Sequence, residues 1–176
     1  MADSNITKRA LADAIKALMQ EMPFEKIGVA QICERCDMNR KSFYYHFRDK
    51  YDLINWIFDT EFIEVITEEQ LTLPYEERMT FIAHACDYFY QNRDFYRRAL
   101  RIKGQNSFSD HFREVVRPLL RVRFLYLLGE DGTDDFVLDF FTDAIICALE
   151  RWLLDKNCMP AQEFVDRLIK MVTDCA

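Results

Sequence analysis

A chain of 176 residues, 50% of them hydrophobic and 14% aromatic, has material for one large or two small domains with an ample core, which excludes a disordered or fibrous polymer. Its net charge of -7 excludes a uniformly basic coat for nucleic acid, so a polyanionic partner would have to meet a local patch. With only 4 Gly and 4 Pro, no sustained apolar–polar alternation and recurrent 3.6-residue periodicity, the sequence predicts an all-α fold of about nine helices.

The first helix is expected to start at a cap on Asp3 or Ser4. Leu11, Ala14, Ile15, Leu18 and Met22 line its apolar face, and it stops before Pro23. Phe24 and Ile27 fill the space before a short second helix whose stripe is Val29, Ile32 and Cys33. A tight turn, Cys36-Asp37-Met38, leads to Asn39, a short polar cap, and then to Arg40–His46, whose polar face carries Arg, Lys, Ser, Tyr and His over the apolar pair Phe43 and Phe47. Two short helices joined by a three or four residue turn are a helix-turn-helix, with the second helix as the reader. Residues 1–50 carry 9 Lys and Arg against 7 Asp and Glu, while residues 51–176 carry 14 against 23. Within 39–50, Arg40, Lys41, Arg48 and Lys50 face only Asp49, so the basic patch coincides with the reader.

At this stretch the chain resembles the TetR family of bacterial transcriptional regulators, on Val29, Met38, Asn39, Phe43, Tyr44, His46, Phe47, Lys50 and Leu53. Two positions depart from the family pattern. Gly28 stands where a capping and phosphate-contacting Thr is usual and retains only its backbone N–H for that contact. Asp37 stands at the turn Gly, where Asp tolerates the left-handed backbone a turn can require. The resemblance implies a DNA-binding domain over 1–49 and a helical effector-binding and dimerisation domain over 50–176. In the reader, Arg40 and Lys41 are expected at base edges or adjacent phosphates, with Ser42 and Tyr45 as secondary readers; Tyr44, His46 and Lys50 resemble the family's phosphate clamps.

Tyr51 is expected to open a fourth helix with Leu53, Ile54, Ile57, Phe58, Phe62 and Ile66 on one broad side. A fifth follows Pro74 with Tyr75, Met79, Ile82, Cys86 and Phe89, and a short sixth is expected under an Asn92 cap with Phe95, Tyr96, Ala99 and Leu100, ending before Gly104. Phe108, Phe112, Val115, Leu119, Val122 and Leu125 mark a seventh, kinked at Pro118 and closed by Gly129–Gly132. From Thr133 to Asp155 apolar positions cover more than one face, which demands partners on two sides, and a last helix after Pro160 carries Phe164, Val165, Leu168, Ile169 and Val172. In the resembling family the last two helices usually meet their symmetry mates in a four-helix bundle. The expected homodimer interface is therefore Phe136, Phe140, Phe141, Ile145, Leu149, Trp152, Phe164, Leu168 and Ile169. The stretch from Asn92 to Phe112 is similar to the C-terminal domain of a TetR subgroup that includes regulators of dihydroxyacetone kinase operons.

Trp56, Phe62, Met79, Cys86, Phe89, Tyr90, Phe95, Phe108 and His111 are open to two readings, the lining of a small-molecule effector pocket or plain core. Cys33 and Cys36 have a zinc-like spacing, but no second pair or nearby His completes a metal site, so core packing is expected, with reduced thiols in a cytoplasmic protein and no cofactor. No segment approaches a membrane span, and His84, His111 and the cysteines form no nucleophile, phosphate-loop or metal pattern, so catalysis is not expected. The expected function is that of a dimeric regulator bound to double-stranded DNA at a pseudo-palindromic operator, a ligand-responsive repressor. The alternatives are an activator controlled by a protein partner and a helical adaptor without DNA binding.

Overall fold

The computed structural model describes the backbone of residues 2–65, 75–103, 107–128 and 134–175, and the side chains of 4–62, 82–103, 107–121 and 134–171. These residues form nine α-helices, α1 (Ala2–Glu21), α2 (Val29–Arg35), α3 (Arg40–His46), α4 (Lys50–Val65), α5 (Tyr75–Gln91), α6 (Arg93–Ala99), α7 (Phe108–Leu128), α8 (Asp135–Leu154) and α9 (Ala161–Cys175), with one 3-10 turn at Phe24–Lys26 and no strand among the described residues. The expected helix positions at Ile66, Pro74, Gly104, 129–132 and Thr133, and the side chains of Tyr75, Met79, Val122, Leu125 and Val172, lie outside the described residues.

Packing divides the chain into one compact unit of residues 1–61 with 94–109 and another of 62–93 with 110–176. The first unit is built on the stripe of α1, where Leu11, Ile15 and Met19 are buried, as are Phe24, Ile27, Ile32, Phe43 and Phe47 from the elements that follow. Helix α4 adds Leu53, Ile54, Ile57 and Phe58, spaced i, i+1, i+4, i+5, all sealed from solvent. Each such side chain contributes about 1.5–3 kcal/mol by burial.

Helix α6 belongs to this unit because Tyr96 is sealed among the rings of Phe58 and Phe108, at centroid distances of 6.2 and 6.0 Å. The Arg98 guanidinium also donates to the Met19 and Gln20 carbonyls at 2.5 and 3.5 Å. Those carbonyls belong to the last turn of α1, where unpaired acceptors and the helix dipole favour a cation. Lys16 pairs with Glu61 at 2.5 Å, fastening α1 to α4 within the same unit.

In the second unit α9 packs along α5, and Phe89 is enclosed by Phe62 and Phe112, with ring centroids 4.9 and 5.8 Å away. Three arginines one turn apart on α7 form a ladder to the acids of α8. Arg113 holds Glu150 in a two-pronged bond of 2.9 and 2.5 Å, Arg117 holds Asp143, and Arg121 bridges Asp135 and Asp139. The ladder runs down α7 as it runs up α8, which sets the two helices antiparallel.

Several local expectations change. Helix α1 begins at Ala2, upstream of the caps expected at Asp3 or Ser4, and α4 begins at Lys50, one residue early, because Asp49 caps it by accepting from the amides of Tyr51 and Asp52 at 2.8 and 2.9 Å. Asn92 does not cap α6; its amide group donates backwards to the Tyr88 carbonyl at 2.9 Å, closing α5. Pro118 lies inside α7, which continues unbroken through it.

Candidate nucleic-acid interface

The reading unit is assembled by three successive caps. Gly28, at φ -102° and ψ 154°, starts α2: its amide donates to Gln31 Oε1 at 2.9 Å, and its carbonyl accepts from the Gln31 amide at 3.0 Å. Gln31 thus supplies the side chain that a glycine lacks. The Gly28 N–H expected to remain for a phosphate is already engaged.

At the other end of α2 the Met38 amide reaches back to the Cys33 carbonyl at 2.8 Å and the Asp37 amide to the Glu34 carbonyl at 3.3 Å. This pair of bonds is a Schellman closure, which needs a left-handed residue between helix and turn. Asp37 is that residue, at φ 52°. The expectation that Asp tolerates this conformation holds.

Asn39 then caps α3, its Oδ1 accepting from the Ser42 amide at 2.9 Å and the Ser42 hydroxyl at 3.2 Å. The Ser42 hydroxyl is therefore committed to the cap. Phe43 and Phe47 are buried with ring centroids 5.8 Å apart, and Phe47 packs on Trp56 at 5.6 Å with the Lys8 ammonium over both rings. With that face anchored, α3 presents Arg40, Lys41, Tyr44 and Tyr45 to solvent, the two tyrosines 58% and 83% exposed. His46 is half-buried, edge-on to the Tyr45 ring at 4.9 Å.

Lys50 is the third residue expected at a phosphate, beside Tyr44 and His46. Its ammonium points inward and donates to the carbonyls of Phe24, Ile27 and Glu25 at 2.7, 2.8 and 3.3 Å, with the Phe24 ring 4.3 Å away. An ammonium has three donors, and all three are used. Burial lowers its pKa from the ordinary lysine value, with Glu25 opposing the shift. Lys50 thus clips the start of α4 to the 3-10 turn that follows α1.

Cys33 is buried in the core and Cys36 is half-buried at the turn. Burial raises the pKa of Cys33 against the opposing charge of Arg40, and burial, seconded by Cys33, raises that of Cys36, whose thiol donates to the Ile32 carbonyl at 3.3 Å. Raised thiols are poor nucleophiles and poor metal ligands. No group of three or more candidate metal ligands occurs among the described residues.

The residues expected to line an effector pocket divide between the two units. Trp56, Phe95 and Phe108 pack in the first, Phe95 under the Lys16 ammonium at 5.2 Å. Phe62, Phe89 and Tyr90 belong to aromatic clusters of the second, Cys86 is buried there and His111 is half-buried. One buried polar group escaped the sequence reading. Thr142 sits in the inward stripe of α8 with Leu138 and Ile146, and its hydroxyl has no hydrogen-bond partner among the described residues. The only sequence signal for it is a hydroxyl at a position whose i±4 neighbours are apolar.

The expected dimer face also separates into two sets. Leu149, Trp152 and Phe164 are buried inside the protomer, contrary to expectation: the Trp152 ring stacks on Phe164 at 4.3 Å and on Tyr90 at 6.2 Å, and its indole N–H donates to the Met159 carbonyl at 2.8 Å. Phe136 and Phe140 stand out at 73% and 60% exposure, rimming a shallow hollow of about 360 Å³ with Asp139, Asp143, Ala144 and Cys147. Phe141, Ile145, Leu168 and Ile169 are half-buried, and Met171, not anticipated from the sequence, is exposed on α9.

Residues 11–57 match the family of bacterial regulatory proteins, tetR family, and residues 76–174 match a transcriptional regulator C-terminal region of the TetR type. The HTH-type dhaKLM operon transcriptional activator DhaS of Lactococcus lactis subsp. lactis (strain IL1403) is 29% identical over 98 residues, which are 56% of this chain and 51% of that protein, so the match spans about half the length of the relative. A solved structure of a dihydroxyacetone kinase operon activator, DhaS, superposes with a TM-score of 0.72 at 21% identity over 96% of this chain and 95% of that one. A TetR transcriptional regulator from Streptococcus agalactiae 2603V gives 0.72 at 22% identity over 97% and 96%. At these identities the structural likeness speaks for the fold, and the family matches speak for the class. Two capped helices joined by a Schellman turn, with a basic and aromatic outer row, are thus the DNA-binding helix-turn-helix of a chain that belongs to the TetR family of bacterial transcriptional regulators.

Proposed function

We propose that the protein works as a homodimer that seats α3 of each protomer in the major groove of a pseudo-palindromic operator. The observation that carries this reading is the exposed row Arg40, Lys41, Tyr44 and Tyr45 on a helix whose other side is anchored by Phe43 and Phe47. Arg40 and Lys41, in the first turn, are the candidates for base edges, where a two-pronged Arg–guanine contact is worth about 1–3 kcal/mol of discrimination. Tyr44 and His46 are candidates for the phosphate strand, which fixes register. Ser42 contributes by holding the cap.

Dimerisation through α8 is supported by the projecting Phe136 and Phe140 and by the ladder to α7. Because Arg117 and Arg121 already neutralise Asp143, Asp139 and Asp135, a second copy meets an apolar face whose acids are paired within the protomer. A two-fold dimer requires a self-complementary surface of this kind, and its two heads would address half-sites about 34–36 Å apart.

Repression relieved by a small molecule is the expected mode of control. The DhaS match favours a second reading, activation, since that relative is a transcriptional activator. The test is a fluorescence-anisotropy titration with duplexes from the protein's own upstream region and with random duplexes, followed by transcription from the bound fragment. Specific binding that Arg40→Ala weakens supports the operator reading, and the sign of the transcriptional response separates repressor from activator. Equal affinity for every duplex would refute sequence-specific reading.

A further inference from the structure

We propose that Arg48 is a phosphate-contacting residue of the reading head, in the role that the sequence pattern assigns to Lys50. This rests on the DNA-binding reading above and adds the group that anchors the far end of the reader.

Three observations place it there. Arg40, Lys41, Tyr44 and Tyr45 are exposed on α3 while Phe43 and Phe47 are buried, and Arg48, two residues beyond the end of the helix, is exposed as well. Next, the backbone of Arg48 is fixed but its charge is not. Its amide donates to Asp52 Oδ2 at 2.9 Å, whereas its guanidinium, with the side chain 87% exposed, stands 3.6 Å from Asp52 Oδ1, longer than a charge-assisted hydrogen bond. Such a solvated pair holds loosely, so a phosphate oxygen can replace the carboxylate. The neighbouring acid, Asp49, is occupied in capping α4. Finally, the Lys50 ammonium is spent on three carbonyls, whereas Arg48, two residues before it, keeps its guanidinium in solvent.

Helix length puts the two ends of the row in different places on a duplex. Seven residues span about 10 Å, close to the roughly 12 Å width of the major groove. When the first turn of α3 addresses base edges, a side chain just past its last turn reaches the sugar–phosphate strand at the groove's flank. A guanidinium there meets two phosphate oxygens with paired donors, a geometry a single ammonium cannot match.

The experiment compares wild type, Arg48→Ala, Arg48→Lys and Lys50→Met. Each is titrated at several salt concentrations against a duplex from the protein's upstream region and a random duplex of equal length. A phosphate contact predicts that Arg48→Ala flattens the slope of log K against log salt by about 0.9 per protomer and weakens both duplexes by the same factor, while Arg48→Lys restores the slope. Lys50→Met is expected to keep the wild-type slope and to lower the melting temperature. An unchanged slope in Arg48→Ala, a loss confined to one duplex, or a flattened slope in Lys50→Met alone would overturn the assignment while leaving the regulator reading intact. A wild-type protein with no salt-dependent complex on either duplex would overturn both.

Discussion

Asp37 offers the sharpest test of the turn that aims the reader. It holds φ 52°, and the Met38 and Asp37 amides close α2 only while it does so. An L-residue in the left-handed region costs about 1–2 kcal/mol, less for Asp, and glycine none, although glycine loses about 0.5–1 kcal/mol more conformational entropy on folding. Asp37→Gly is therefore expected to raise stability by about 0.5 kcal/mol, and Asp37→Ala to lower it by about 1. Asp37→Val, β-branched and crowded at positive φ, should cost about 2 kcal/mol. Urea unfolding followed by circular dichroism at one fixed protein concentration reads these differences, and a thermal melt should move about 2–4 °C per kcal/mol for a chain of this size. The order Gly, Asp, Ala, Val is the signature. If Ala matches Asp within about 0.3 kcal/mol, or Gly falls below it, the turn does not carry left-handed strain.

Trp152→Ala should cost about 3–5 kcal/mol at any protein concentration, because the indole fills the protomer's own core between Tyr90 and Phe164. Phe140→Glu should instead leave the helical signal intact and shift sedimentation to the protomer mass; a dimer that survives it would rule α8 out as the interface. Gly28→Ser should stabilise α2 by a few tenths of a kcal/mol, since a Cβ there meets only Gln31 Oε1, at 3.6 Å; a loss of more than about 1 kcal/mol in chemical denaturation would contradict that cap. Burial pushes the Cys86 thiol up from 9.0 to about 12. Its contribution to stability is complete below pH 9 and is lost as pH rises towards 12, because the unfolded thiol ionises first. Unfolding titrations from pH 8 to 11 should fall more steeply for wild type than for Cys86→Ala, by up to about 1.4 kcal/mol per pH unit; parallel curves would mean the thiol is not sealed.

Sequence alone determined the features that arise from neighbours along the chain. The positions of α2 and α3, the Asn39 cap and the Asp37 turn were legible because a cap or a turn is decided within four residues, and 3.6-residue periodicity marks each buried stripe. The family resemblance was legible for the same reason, as the helix-turn-helix is a continuous local pattern. Tertiary structure decided whatever depends on a partner far along the chain. Lys50 reads as an exposed cation until carbonyls 23–26 residues upstream converge on its ammonium. Trp152 and Phe140 lie on one greasy helix, and periodicity cannot choose between its sides when both are apolar; only the positions of Tyr90 and Phe164 turn Trp152 inward and leave Phe140 out. Helix α6 follows α5 in sequence yet belongs with α1, because Arg98 finds its acceptors 78–79 residues earlier. Local pattern names the elements and their polar and apolar faces. Which apolar face meets which, and which charges are left for DNA, is settled only when distant segments compete for the same carbonyls, rings and core volume.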